Sequence, residues 1–182
     1  MKTIYSICLL LLLNLGGCAT IHISSKDAHS EQPATVKFAE FNRFFIKPVS
    51  ISQNLKSDYN NQDALEIIDA NLYRDLLSVF DVLDNISEYD PSKPERTLII
   101  EPSIVKMKSV GGVSRALFGV FAGGSAVVLK TTYIDAETNK VIASPSFYKH
   151  ANAWAATHGN GRDRGMLGLI TNAAAAYAAD NY

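Results

Sequence analysis

Few side chains in this 182-residue chain are of kinds that do chemistry, and their spacing limits what they can do. There are two cysteines, Cys8 and Cys18, and four histidines, His22, His29, His150 and His158. Gly112-Val113-Ser114-Arg115-Ala116 approximates the G-x-S-x-G elbow that exposes a nucleophilic serine, and Asp135 then His150 follow in hydrolase order. An elbow needs a parallel strand entering a helix, whereas Ser114 lies inside an apparent antiparallel hairpin, and the domain is small for that fold. The expectation is no catalytic residue and no enzyme, with a small hydrolase using Ser114 as the rival. Neither His22 with His29 nor His150 with His158 completes the three or four ligands of a metal site, so no metal is expected. The Gly-rich stretch 109–125 lacks the G-K-[ST] end of a phosphate loop and the G-x-G-x-x-G spacing after a strand. No cofactor is expected.

Cys18 has a different chemistry in prospect. Met1-Lys2-Thr3 is a short positive start, Ile4 to Leu13 an apolar run, and Leu15-Gly16-Gly17 puts small residues before Cys18, the layout of a cleaved leader. The apolar run is far below the ~20 residues a spanning helix needs. Leu15-Gly16-Gly17-Cys18 resembles the lipobox of bacterial lipoproteins, which implies residues 1–17 as signal peptide and a diacylglycerol thioether plus amino-terminal acyl chain on Cys18. Two or more chains make a firm anchor, since each buried CH2 contributes ~0.8 kcal/mol. Ala19, rather than Asp, at the second mature position implies by the same resemblance delivery to the outer membrane, facing the periplasm.

With Cys8 removed and Cys18 lipidated, no thiol is left for a disulfide or a nucleophile. The remaining chain, 182 less 17 residues, is long enough for one domain with its own core. Its charge is nearly balanced, 16 Lys+Arg (17 less Lys2) against 18 Asp+Glu, and it has no basic run. Nucleic acid is therefore not an expected partner, and no cluster in the sequence marks peripheral binding to anionic lipid.

The elements that must position these residues are legible in the patterning. Residues 18–35 read as lipidated cysteine and flexible tether, polar, small and ending near Pro33; its coil would span roughly 20 to 25 Å. The domain is expected over 36–182. A first strand over Phe41 to Lys47 is followed by a helix with Asn60 or Asn61 as cap, Asp63 and Glu66 in its first turns, and the stripe Leu65, Ile68, Leu72, Leu76, Val79. Phe80 to Leu83 reads as a short strand, Asn85-Ile86-Ser87 as a turn rather than a glycosylation site, and Thr97 to Lys108 as a strand placed by Pro102 at an edge or bulge. Ala126 to Ile134 and Val141 to Trp154 complete an antiparallel meander, joined by a tight turn in which Asn139 takes the left-handed conformation. Asp163 would cap a last helix burying Met166, Leu169 or Ile170, Ala173, Ala174 and Tyr177. The expected fold is α+β: a single mixed, mainly antiparallel sheet of about five strands with two helices packed on one face, in the order β-α-β-β-β-β-α.

Val110 to Ala143, a Gly-rich hairpin followed by Asp135-Ala136-Glu137-Thr138-Asn139-Lys140-Val141-Ile142-Ala143, resembles the signature of a domain-of-unknown-function family of small proteobacterial envelope lipoproteins. Asn139 stands where that family often has Gly. More distantly, the element order is similar to the curli secretion lipoprotein, penicillin-binding-protein activator lipoproteins and the amino-terminal domain of the Tol periplasmic protein, which implies a partner-binding module. Leu117, Phe118 and Phe121 fold over the core, contact an envelope partner or a second copy, or enter lipid, and Arg115 beside them is a further partner-contact candidate. Tyr148, His150, Asn152 and Trp154 share one parity, hence one face of the last strand, and form a second candidate contact. The functional expectation is a non-enzymatic interaction module in envelope assembly or maintenance, with a secretion or export subunit as the alternative.

Overall fold

The computed structural model describes residues 29–52, 55, 59–93, 95–108, 124–151 and 161–182. The leader, Cys18, Ser114, Arg115, Leu117, Phe118, Phe121, Asn152, Trp154 and His158 lie outside the described residues. In chain order the elements are β1 (Arg43–Ile46), β2 (Ser50–Ile51), α1 (Tyr59–Leu77), β3 (Asp84–Asn85), β4 (Thr97–Lys108), β5 (Ser125–Asp135), β6 (Lys140–Ala143), β7 (Ser146–Ala151) and α2 (Gly161–Asn181). One mixed sheet runs β3-β1-β4-β5-β6, with β2 continuing β1 along β4 and β7 continuing β6 along β5. The pairings of β1 with β3 and β4 are parallel, and the long β4–β5 ladder and those of β5 with β6 and β7 are antiparallel.

Both helices cover one face, and the alternation along the strands shows why. Leu98, Ile100, Ile104 and Met107 on β4 and Val127, Leu129 and Tyr133 on β5 point into the main core. The α1 stripe meets them with Ile68, Leu72 and Leu76, each fully buried. From α2 come Met166, Ile170, Ala174 and Tyr177; Ile170 is the buried member of the Leu169 or Ile170 pair. The core is strongly aromatic: Phe38 stacks on Tyr133 with centroids 4.5 Å apart and Phe44 on Phe80 at 4.3 Å. Such pairs add about 0.5 to 1.5 kcal/mol each beyond the area they bury. Between the helices, the Thr171 hydroxyl donates to Asp75 at 2.7 Å.

Several expectations are corrected. Phe80 and Leu83 are core residues before a two-residue strand at Asp84–Asn85, because both side chains turn inward where an alternating strand would split them. Val141 to Trp154 is not one strand: Ser144-Pro145 divides it into β6 and β7, since Pro145 lacks the N–H a ladder needs. Pro102 lies in an interior strand, not at an edge. Its carbonyl accepts from the Ser50 hydroxyl and that of Ile100 from the Lys47 N–H, so the missing Pro102 N–H faces the gap between β1 and β2. The bulge in β4 comes later, between Ile104 and Lys106. Asn60, Asn61 and Asp163 fall inside helices rather than before them, and Asp63 and Glu66 lie beyond the first turn of α1.

The largest correction concerns the tether. From His29 onward it is docked: Ser30 pairs with Ser146 on β7, and the Thr35 N–H donates to the Ile142 carbonyl on β6. The Ala34 N–H reaches the Asn181 side chain and the Tyr177 hydroxyl donates to the Gln32 carbonyl at 2.6 Å. Residues 30–35 thus cover a sheet edge that would otherwise offer unpaired backbone groups to another chain.

Candidate functional site

Polar side chains in the described part mostly join elements. Arg43 reaches Asp84 at 2.8 Å and Glu95 at 2.9 Å, which clamps β1 to β3 and to the turn before β4, and these carboxylates hold its guanidinium above its ordinary pKa. Arg96 pairs with Glu40 at 2.8 Å and lies 3.7 Å from Asp135, with its guanidinium 4.6 Å above the Phe41 ring. Lys47 pairs with Glu101, and Asp69 accepts the Val49 N–H at 2.7 Å. Asp135, buried, accepts the N–H groups of Glu137 and Thr138 and so shapes the turn that Asn139 closes at a φ of 55°.

This geometry separates the residues of the hydrolase reading. Asp135 pairs with Lys140 at one end of β5, and His150 pairs with Ala126 near the other. Nine residues at ~3.3 Å each put them roughly 30 Å apart, far beyond a hydrogen bond. His150 instead stacks on Tyr148 with centroids 5.8 Å apart. The shared face expected for Tyr148 and His150 is found: it is the sheet face turned away from the helices, where Tyr148 packs on buried Ala126 and Val128. Among the described residues, no three His, Cys, Asp or Glu side chains gather around a common point for an ion.

A second surface was not anticipated. At the edge farthest from the docked tether, a groove of about 280 Å³ is lined by Ile46, Lys47, Asp69, Tyr73 and Asn85. Beside it Tyr73, Leu77 and Val82 are 40%, 41% and 57% exposed. Tyr73 and Leu77 are one helical turn apart, and the Tyr73 hydroxyl donates to the carbonyl of Leu83, next to Val82. The signal was present: two apolar residues four apart, off the α1 core stripe, need a second surface to cover them.

The described residues form an α+β domain with both helices on one face of the sheet, an architecture that does not by itself fix a function. Residues 21–157 match the family model described as Domain of unknown function (DUF4410), and the chain belongs to that family. No curated protein is similar enough to count as a relative. Among solved structures, a PelC dodecamer from Paraburkholderia phytofirmans is 11% identical, covering 78% of this chain and 93% of its own, with a TM-score of 0.50. A DUF330 protein from Xanthomonas campestris is 10% identical, covering 83% and 94%, with a TM-score of 0.52. Lipoprotein GNA1162 from Neisseria meningitidis is 12% identical over 76% and 98%, with a TM-score of 0.34. At these identities the likeness to the first two is one of fold alone. Among the described residues, no helix is long and apolar enough to cross a membrane.

Proposed function

We propose that the chain is a periplasmic lipoprotein of the outer membrane, anchored through Cys18, that catalyses no reaction and acts through protein contacts in envelope assembly or maintenance. The observation that carries this reading is the uncovered edge of Tyr73, Leu77 and Val82 beside the groove, on the opposite side of the sheet from the tether. Four strand spacings, about 19 Å, separate β3 from β7, so an anchored domain holds this edge clear of its own attachment point. The occupant is a second copy of the chain. Support comes from the dodecamer that shares the fold, and from the likeness in element order to the curli secretion lipoprotein, which also keeps an export subunit as the alternative. A hydrolase built on Ser114 would need a different acid from Asp135.

Sedimentation mass in mild detergent tests the contact. The unsubstituted chain is expected to associate, and Leu77→Glu with Val82→Glu to return it to a monomer without lowering its melting temperature. If the unsubstituted chain is itself monomeric, a photo-crosslinker at position 77 in cells shows whether another envelope protein takes this edge; no crosslink there ends the proposal. For the anchor, Cys18→Ser is expected to release the protein from membranes, and a variant that still sediments with them overturns it.

A further inference from the structure

The cations of the described chain differ in their partners. Arg43, Lys47, Arg74 and Arg96 pair with carboxylates. Lys106, Lys108 and Lys130 have no carboxylate within 4.0 Å among the described residues. The difference is written in the sequence: from Pro102 to Ile134, and again from Val141 to Arg162, there is no Asp or Glu. A nearly neutral chain therefore has a stretch of sheet with no acids of its own.

The register brings these lysines together. Lys108 stands opposite Ala126, which stands opposite His150; Lys106 opposite Val128, opposite Tyr148; and Ser103 opposite Lys130, opposite Ser146. Met107, Val127, Leu129 and Phe147, in alternate or facing positions, are in the main core, so all three lysines project from the sheet face turned away from the helices. Two-residue steps of ~6.6 Å and a strand spacing of ~4.8 Å place Lys106 about 7 Å from Lys108 and about 8 Å from Lys130, with Lys108 and Lys130 roughly 14 Å apart. Their stems border the apolar patch of Ala126, Val128 and Tyr148, the arrangement in which a lysine covers apolar surface and keeps its ammonium outward.

The same rows relate these lysines to the point where the upstream chain leaves the described fold. Ser30 is bridged to Ser146, which pairs with Lys130, so the chain upstream of Ser30 leaves the fold about two strand spacings, roughly 10 Å, from that lysine. The stretch from Cys18 to Ser30 reaches at most about 40 Å even when fully extended. We infer that Lys106, Lys108 and Lys130 form a docking surface for the anionic phospholipid headgroups of the membrane that holds Cys18, turning these lysines toward the bilayer and the Tyr73–Leu77 edge away from it. On the anchored protein the headgroups are also held at high effective concentration, which adds to the lysine contact in orienting the domain. This inference rests on the anchor at Cys18 and leaves the protein-contact edge free.

The test separates the patch from the anchor. A chain starting at residue 18 with Cys18→Ser, which keeps the domain and removes the lipid, is cosedimented with vesicles containing phosphatidylglycerol and with vesicles of phosphatidylcholine alone. Binding is expected only to the anionic vesicles, to weaken with salt, and to fall at least about tenfold in Lys106→Gln/Lys108→Gln/Lys130→Gln, given ~1 kcal/mol per lysine near an anionic surface. Lys93→Gln/Lys140→Gln, at the opposite end of the sheet, is expected to bind unchanged. Absent or salt-independent binding, equal binding to both vesicles, or equal loss in both variants overturns the inference, and the salt series on the unsubstituted chain decides it even if the triple variant unfolds. A triple variant that changes sedimentation mass without vesicles also overturns it, because the face then contacts a second copy.

Discussion

Ser30 and Ser146 exchange both backbone hydrogen bonds, the Ser30 N–H reaching the Ser146 carbonyl at 2.9 Å and the Ser146 N–H the Ser30 carbonyl at 2.7 Å. That bridge turns the chain upstream of the domain from a free leash into an added edge piece of the sheet. It also fixes the point on the sheet edge from which the chain upstream of Ser30 leaves the described fold.

The docking depends on α2 as well as on the sheet, because the Tyr177 hydroxyl donates to the Gln32 carbonyl at 2.6 Å. Tyr177→Phe keeps the ring in the core and removes only that bond. Global stability is expected to drop by about 1 kcal/mol, with amide exchange at Ser30 and Thr35 rising well before exchange in β5. Protection at Ser30 equal to that of the unsubstituted chain would show that the strand bridge holds the segment without α2.

The helix layer is held by burial more than by polar links. Leu72, at the centre of the α1 stripe, is fully buried, so truncating it removes core contacts and leaves a cavity. Leu72→Ala is expected to cost about 2 to 5 kcal/mol. Leu77→Ala, five residues on and 41% exposed, is expected to change stability by less than about 0.5 kcal/mol. Chemical denaturation of the two variants measures the contrast; similar losses would mean that Leu77 is already covered.

These elements were legible for the reason that makes them stable. The 3-and-4 spacing of Ile68, Leu72 and Leu76 and the alternation of β4 and β5 are the core itself, so periodicity reported it, and Asn139 announced its turn. Strand order was not legible, because β1 pairs with β3 and β4 through a helix and a loop that leave no local mark on Arg43 to Ile46. Docking of residues 30–35 was missed because its bonds are almost all to backbone carbonyls and amides, which any polar sequence can supply. The lysines on the face away from the helices escaped for the converse reason. Lys106 and Lys108 alternate on one strand and Lys130 lies on another, so only the register makes them neighbours, although the absence of acids around them was readable.

Tyr133 and Thr131 lie on the helix-facing side of β5, and neither hydroxyl has a hydrogen-bond partner among the described residues. Burial, and after it the neighbouring Tyr177, pushes the Tyr133 pKa far up; burial does the same to Tyr177 to a smaller degree. Both pKa values are thus higher folded than unfolded. Below the ordinary tyrosine value of about 10 both phenols are neutral in either state and their contribution is complete; above it the unfolded chain ionises first, so stability falls as pH rises. Tyr133→Phe removes a hydroxyl that the fold does not use. It is expected to be neutral or stabilising by up to about 1 kcal/mol near neutral pH, and to flatten the alkaline fall in denaturation midpoint. A steep loss at neutral pH would mean that the hydroxyl has a partner essential to the core.

Asn139 tests the turn between β5 and β6. Its φ of 55° is a conformation in which a Cβ crowds the following carbonyl, and short polar Asn tolerates it better than a branched side chain does. Asp135 braces the same turn through the N–H groups of Glu137 and Thr138. Asn139→Gly is expected to leave stability within about 0.5 kcal/mol, relief of the Cβ being offset by the freer unfolded chain. Asn139→Val is expected to cost about 1 to 2 kcal/mol, read as a shift of the denaturation midpoint at constant slope. A valine variant as stable as the glycine one would show that the turn relaxes out of the left-handed region, and the Asp135 brace would then be what holds β5 and β6 in register.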